Sequence, residues 1–146
     1  MIRLPKDFRE LLTLLNSKRI DYLVVGGFAV ALHGYPRATG DLDIWIAISK
    51  ENAVKTVNAL QEFGFNVPSL KADIFLEKNK NIRLGNPPLR VEILTSIDGV
   101  EFEACYRKRV VTKIDGIAVN FISLEDLKKN KKASGRHKDL DDLENL

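Results

Sequence analysis

The sequence has little of what covalent and soft-metal chemistry requires: 146 residues include one cysteine and two histidines. Cys105 cannot close an internal disulfide. With no second cysteine and no clustered histidine, the chain offers neither a zinc site nor a dithiol pair, and Cys105 is expected to be a small buried hydrophobe. His33 falls in a packing segment and His137 in a basic one, so neither has the partners of a catalytic base or zinc ligand. Long apolar runs are also missing. The longest, Leu23 to Leu32, is about half of the roughly 20 residues that cross a bilayer, and two glycines interrupt it. A membrane span is therefore excluded at this level. The opening MIRLPKDFRELL mixes both charge signs and lacks the apolar centre of a secretory leader, so the expectation is a cytoplasmic protein.

Charge of one sign is lacking as well, since 23 basic residues against 20 acidic ones leave a net charge of only +3. The distribution says more than the sum: six Lys or Arg and no acid lie between Lys128 and Lys138. Length and an apolar fraction of 45% predict a single domain over residues 1–146 with one hydrophobic core.

Apolar positions at Phe8, Leu11, Leu12, Leu14 and Leu15 predict a packing helix over Pro5 to Lys18. Asp21 to Val25 is a β-rich run ending in Gly26-Gly27, and Phe28 to His33 again looks helical, which makes a strand, a tight turn and a helix. Gly34 to Gly40 reads as a loop. From Asp41 to Ile48 the sequence alternates, so Leu42, Ile44, Ile46 and Ile48 are expected on one face and Asp41, Asp43 and Trp45 on the other. Ser49 caps a helix whose apolar stripe is Ala53, Val54, Val57, Leu60 and Phe63, ended by Gly64. Lys71 to Asn81 carries no clear period. Leu89 to Leu94, after Pro87-Pro88, is expected to be a strand with Val91 and Ile93 opposite Arg90 and Glu92. Val110–Lys113 and Ile117–Ile122 flank Asp115-Gly116, a hairpin signal at a sheet edge. Ser123 with Asp126 opens a basic helix through Lys132, and a last helix covers about Arg136 to Leu146.

The pattern that carries chemistry is Gly26-Gly27, thirteen residues, then Asp41-x-Asp43. Glycines at a strand-to-helix turn let backbone N–H groups approach phosphate oxygens, and the helix dipole adds to the attraction. Two neighbouring carboxylates repel unless a cation lies between them, and Mg²⁺ or Mn²⁺ with substrate phosphates completes such an oxygen shell. Glu92, on a neighbouring strand, is the third candidate acid and metal ligand. The bland readings are a solvated face for the lysine run, and a terminal helix in which Asp139 and Asp142 flank a Leu140/Leu143 stripe.

The segment VGGFAVALHGYPRATGDLDIWI, Val25 to Ile46, resembles the nucleotidyltransferase superfamily of DNA polymerase beta-like folds, and specifically its minimal AbiEii-like members. The ending SLEDLKKNKKASGRHKDLDDL is similar to the ending of those proteins, so the likeness spans nearly the whole chain. The resemblance implies an α+β fold, a mixed twisted β-sheet flanked by helices with further helices at the C-terminal end. It also implies metal-dependent transfer of a nucleoside monophosphate from an NTP, such as ATP, to an acceptor hydroxyl on RNA (tRNA) or protein. A toxin–antitoxin or phage-defence setting, with a cognate antitoxin as partner, comes with it. Residue by residue, Gly26 and Gly27 would hold the triphosphate, and Asp41, Asp43 and Glu92 would be catalytic and hold the metal. Lys131 or Lys132 would contact the nucleotide phosphates, and Asp139 or Asp142 would complete the pocket. Arg37 and Thr39, just before the acids, join the nucleotide-binding set. The sequence departs from the superfamily at Glu92, where Asp is more usual, so that carboxylate reaches one methylene further. The competing reading is a catalytically inactive nucleotide- or RNA-binding module on the same fold.

Overall fold

The structure, a computed structural model, describes residues 3–37, 39–86 and 90–146. Among these, six strands, β1 (Tyr22–Val25), β2 (Asp41–Ile46), β3 (Asn81–Leu84), β4 (Arg90–Leu94), β5 (Val110–Ile114) and β6 (Ile117–Phe121), form one mixed sheet of order β3-β4-β2-β1-β6-β5. The first helix, α1 (Lys6–Ser17), buries Phe8, Leu11, Leu12 and Leu15 at the i, i+3, i+4, i+7 spacing expected of it. Each fully buried leucine contributes about 1.5–3 kcal/mol relative to exposure. Next comes β1 (Tyr22–Val25), buried along its whole length, and then α2 (Gly26–Leu32). Phe28 of α2 meets Phe8 of α1 edge to face, with ring centroids 5.8 Å apart.

The strand β2 (Asp41–Ile46) returns antiparallel to β1. Leu42, Ile44 and Ile46 are buried on one face as predicted, but the strand ends at Ile46 and Ile48 is exposed. The reason is local: Asn52, at the start of α3 (Lys50–Phe63), donates to the carbonyl of Ala47, and so turns the chain off the sheet. The same side chain also exchanges hydrogen bonds with the N–H and carbonyl of Asp21, tying the start of β1 to the end of β2. Ser49 caps α3 by accepting from the Asn52 N–H. Of the stripe assigned to α3, Ala53, Val57 and Leu60 are buried, whereas Val54 is exposed, because the stripe facing α1 is narrower than the run of apolar residues suggests.

The stretch without a clear period holds a 3₁₀ turn, Ala72–Leu76, that buries Phe75, and then β3 (Asn81–Leu84). That strand pairs antiparallel with β4 (Arg90–Leu94), which runs parallel to β2. Pro87, Pro88 and Leu89 lie outside the described residues. In β4, Val91 and Ile93 are buried and Arg90 and Glu92 take the other face, as the alternation requires.

The helix α4 (Phe102–Arg107) lays Phe102 edge to face on Trp45, with centroids 5.1 Å apart. It closes the carboxylate face of the sheet at the Trp45 end and leaves the Asp41/Asp43 end open. Cys105 is buried on it with its thiol pushed up to about 12 by burial and by Asp126, so it is inert as a nucleophile. The hairpin β5 (Val110–Ile114) and β6 (Ile117–Phe121) forms one edge of the sheet and turns through Asp115 (φ 51°) and Gly116 (φ 82°). Ser123 caps α5 (Leu124–Ser134), and α6 (His137–Asn145) folds back onto it. No helix among the described residues is long and apolar enough to cross a membrane.

Candidate active site

The open end of the carboxylate face is a cavity of about 610 Å³. Register explains what meets there. Val25, the last residue of β1, pairs with Asp43 of β2, so the Gly26-Gly27 turn lies beside that carboxylate. Asp43 pairs in turn with Glu92 of β4, and Asp41 with Arg90. The thirteen residues between the glycines and the aspartates are the length needed for α2 and its loop to return the chain antiparallel next to β1.

Gly26 has φ +66°, and a β-carbon there would collide with the Asp43 carboxylate; one on Gly27 would collide with the Thr39 side chain. The turn is therefore fitted to the acid and to the loop, and both glycines line the cavity. Gly26, Gly27, Thr39, Asp41, Asp43, Glu92, Lys131 and Asp139 all contribute to the cavity wall.

The three carboxylates are not equivalent. Asp43 Oδ1 is shut off from solvent with no hydrogen-bond partner among the described residues. Burial first, then the charges of Glu92 and Asp41, push its carboxyl up to about 7 against the pull of Lys138 and Lys131. Asp41 is held by Arg90, whose Nη2 donates to Oδ2 at 2.9 Å. Glu92 has the Arg83 Nε 3.7 Å away. Consequently, no group of three His, Cys, Asp or Glu side chains among the described residues is already gathered as a metal-ligand set. The donors still suit a hard cation: one buried carboxylate oxygen is unpartnered, and its two neighbours have each drawn a guanidinium.

The remaining predicted residues separate into two groups. Lys131, only 6% exposed at its side chain, donates to Asp139 Oδ1 at 3.1 Å and lies 3.1 Å from Asp142 Oδ2. Lys132 is exposed and off the cavity wall. Asp142 faces Arg37, which forks onto it at 2.7 and 2.9 Å, and both lie outside the wall. Asp139 also accepts from Ser134 Oγ at 2.6 Å and from Arg136 Nε at 2.7 Å. Burial raises the Asp139 carboxyl, but the hydrogen bonds from Arg136, Ser134 and Lys131 more than offset this and hold it down at about 2. The bland reading of the last helix, a Leu140/Leu143 stripe flanked by acids, does not hold: α6 buries Asp139 and Asp142 while Leu140 is 45% exposed, because cations on α5 and the Arg37 loop meet its acidic face. That loop is latched again by Tyr35, which donates to Asp141 at 2.9 Å. His33 contacts the carbonyl of Ile122 through its ring nitrogen, a packing role.

Four cations near the site were not singled out from sequence. Arg83, Arg136 and Lys138 line the cavity, and Arg90 lies behind Asp41. Lys138 makes no hydrogen bond or ion pair within 4 Å among the described residues, yet its charge acts on Asp43. The cue for Arg136 and Lys138 was their cluster just before Asp139; Arg83 sits on the strand that periodicity did not reveal.

Comparison with solved structures gives the same fold. A candidate nucleotidyltransferase from Thermotoga maritima superposes with a TM-score of 0.65 at 18% identity, covering 94% of this chain and 88% of that one. An antigenic nucleotidyltransferase-like protein from Paracoccidioides brasiliensis does so with a TM-score of 0.56 at 19% identity, covering 99% of this chain and 77% of its own. Among curated proteins, none matches. The mixed sheet flanked by helices is therefore a nucleotidyltransferase-like fold. A family model spans residues 1–146 from end to end, and the protein belongs to that family, the nucleotidyltransferases of unknown function (DUF6036).

Proposed function

We propose that the cavity transfers a nucleoside monophosphate from an NTP, ATP among them, to an acceptor hydroxyl on RNA (tRNA) or protein. The acceptor oxygen bonds to the α-phosphorus and loses its proton, the α–β bridging P–O bond breaks, and pyrophosphate leaves. The observation that carries this reading is the Asp43 carboxylate, set between Asp41 and Glu92 with Oδ1 unpartnered and Oδ2 against the Gly26 turn. Asp41, Asp43 and Glu92 would hold Mg²⁺ or Mn²⁺, which when bound neutralises phosphate charge and makes the acceptor hydroxyl more acidic. The chain's own part is positioning. The Gly26-Gly27 turn presents N–H groups to the phosphates, and Thr39 buttresses that turn. Lys138, with Arg136 and Arg83, offers cations on the wall to the departing pyrophosphate. Arg37, Lys131, Asp139 and Asp142 act by holding α6 and the loop in place.

Within the superfamily the glycine pair and the Lys-rich tail favour the AbiEii-like branch, and with it the role of toxin-like enzyme in a toxin–antitoxin or phage-defence pair. Expression that arrests growth only when Asp43 is intact, and is relieved by a neighbouring gene product, supports that role; harmless expression of an active enzyme contradicts it. The chemistry is tested by incubating the protein with each α-labelled NTP, Mg²⁺ or Mn²⁺, and cellular RNA or protein. Label transfer that disappears in Asp41→Ala/Asp43→Ala is the expected result.

One observation favours a second reading. Arg90 and Arg83 already neutralise Asp41 and Glu92, as they would in a module that binds nucleotide without turning it over. Nucleotide binding with no label transfer in any acceptor fraction would establish it.

A further inference from the structure

Arg90 and Asp41 face each other across β4 and β2. The guanidinium places Nη2 2.9 Å from Asp41 Oδ2, and Nε 3.2 and 3.3 Å from Oδ1 and Oδ2. Both carboxylate oxygens are thus engaged on one edge by a planar fork. The side chains are 32% and 31% exposed, sheltered enough to hold this geometry and open enough to exchange it. Two residues along the same face, Asp43 has a buried oxygen with no partner. The protein therefore supplies a cation to one aspartate of the pair and withholds it from the other. Arg90 is not part of the cavity wall, so it reaches Asp41 without standing where the substrate would.

From this geometry we infer that Arg90 is a positioning residue, a built-in counter-ion that keeps Asp41 engaged until a divalent ion arrives together with nucleotide. A divalent ion alone must loosen the Arg90 fork while gaining few ligands. With a triphosphate it gains phosphate oxygens as well, as Mg²⁺ prefers. Uptake of metal and of nucleotide are then coupled, and the coupling is reciprocal. The inference rests on the reading of this cavity as a metal–nucleotide site. An ion pair of this exposure is worth up to about 1 kcal/mol, so its removal corresponds to about fivefold in metal affinity.

The test is Mn²⁺ binding to the full chain, followed by the electron paramagnetic resonance signal of free Mn²⁺, with and without a nonhydrolysable NTP. The wild type is expected to bind Mn²⁺ weakly alone and at least about tenfold more tightly with nucleotide. Arg90→Met is expected to bind Mn²⁺ about fivefold more tightly than the wild type both alone and with nucleotide, since the ion displaces the fork in either state. Lys138→Met removes one positive charge near Asp43 without touching the Asp41 pair, and so measures the effect of net charge. Arg90→Lys keeps the charge without the fork and should fall between wild type and Arg90→Met. Equal gains in Arg90→Met and Lys138→Met, or no gain in Arg90→Met, overturn the inference while leaving the metal site standing. Absence of Mn²⁺ binding in every variant, with or without nucleotide, overturns both. Thermal unfolding of each variant confirms that a folded chain is being compared.

Discussion

Asp43 lies at the centre of the carboxylate cluster, and its environment disfavours its own charge. Its carboxyl is raised to about 7 by burial and by Glu92 and Asp41. In the metal-free protein the ionised form is therefore a destabilising element that grows as pH rises from the ordinary carboxylate range and is complete above about 7. Asp43→Asn is expected to stabilise the metal-free protein at about pH 8 by roughly 1 kcal/mol, read by denaturant unfolding, while abolishing label transfer. A variant that is both destabilised and active would sink this assignment. The sequence made this residue legible because Gly26, Gly27, Asp41 and Asp43 belong to one contiguous strand, turn, helix and returning strand, and alternation alone sets the two acids on one face. It did not make Arg90 legible as the partner of Asp41, because that pairing depends on the register between β2 and β4, which no local pattern encodes.

At the scale of elements, α5 and α6 carry their weight through charge rather than apolar contact. Lys131 is buried between Asp139 and Asp142, whereas Lys132 is exposed. Removing one partner of a buried pair leaves uncompensated charge, so Lys131→Met is expected to destabilise the fold by about 3 kcal/mol. Lys132→Ala should stay within about 0.5 kcal/mol of wild type. Equal effects in chemical denaturation would contradict the arrangement. Asp139 adds a pH signature. Its folded-state carboxyl, held at about 2 where an ordinary aspartate stands at 3.8, stabilises the fold above about pH 4, and that contribution is lost as pH falls through about 2. Asp139→Asn should remove on the order of 2 kcal/mol of this acid-labile stability, and an unchanged acid limb of the stability curve would refute it. The helix α6 was expected, but apolar periodicity could not show which face it buries, because that face is acidic; the cations that make this favourable, Lys131 and Arg37, come from other elements.

For the whole molecule, one mixed sheet sets the geometry: its buried face meets the helices, and its other face is closed by α4 over Trp45 and open over the aspartates. The strands with strong alternation or full burial, β1, β2, β4 and the β5/β6 hairpin, were legible in the sequence. The short β3, with exposed Asn81 and Arg83, and the six-residue α4 were not, since neither is long enough to show a period. Yet β3 supplies Arg83 to the cavity, and α4 covers Trp45 on the same strand as the aspartates. Whether this open end of the sheet gathers metal and nucleotide is decided by a crystal soaked with Mn²⁺ and a nonhydrolysable NTP. Anomalous density for Mn²⁺ is expected against Asp41 and Asp43, with Arg90 withdrawn from Asp41 and the phosphates on the Gly26-Gly27 turn. Nucleotide bound with no Mn²⁺, and with Asp41 and Glu92 still on Arg90 and Arg83, would contradict it.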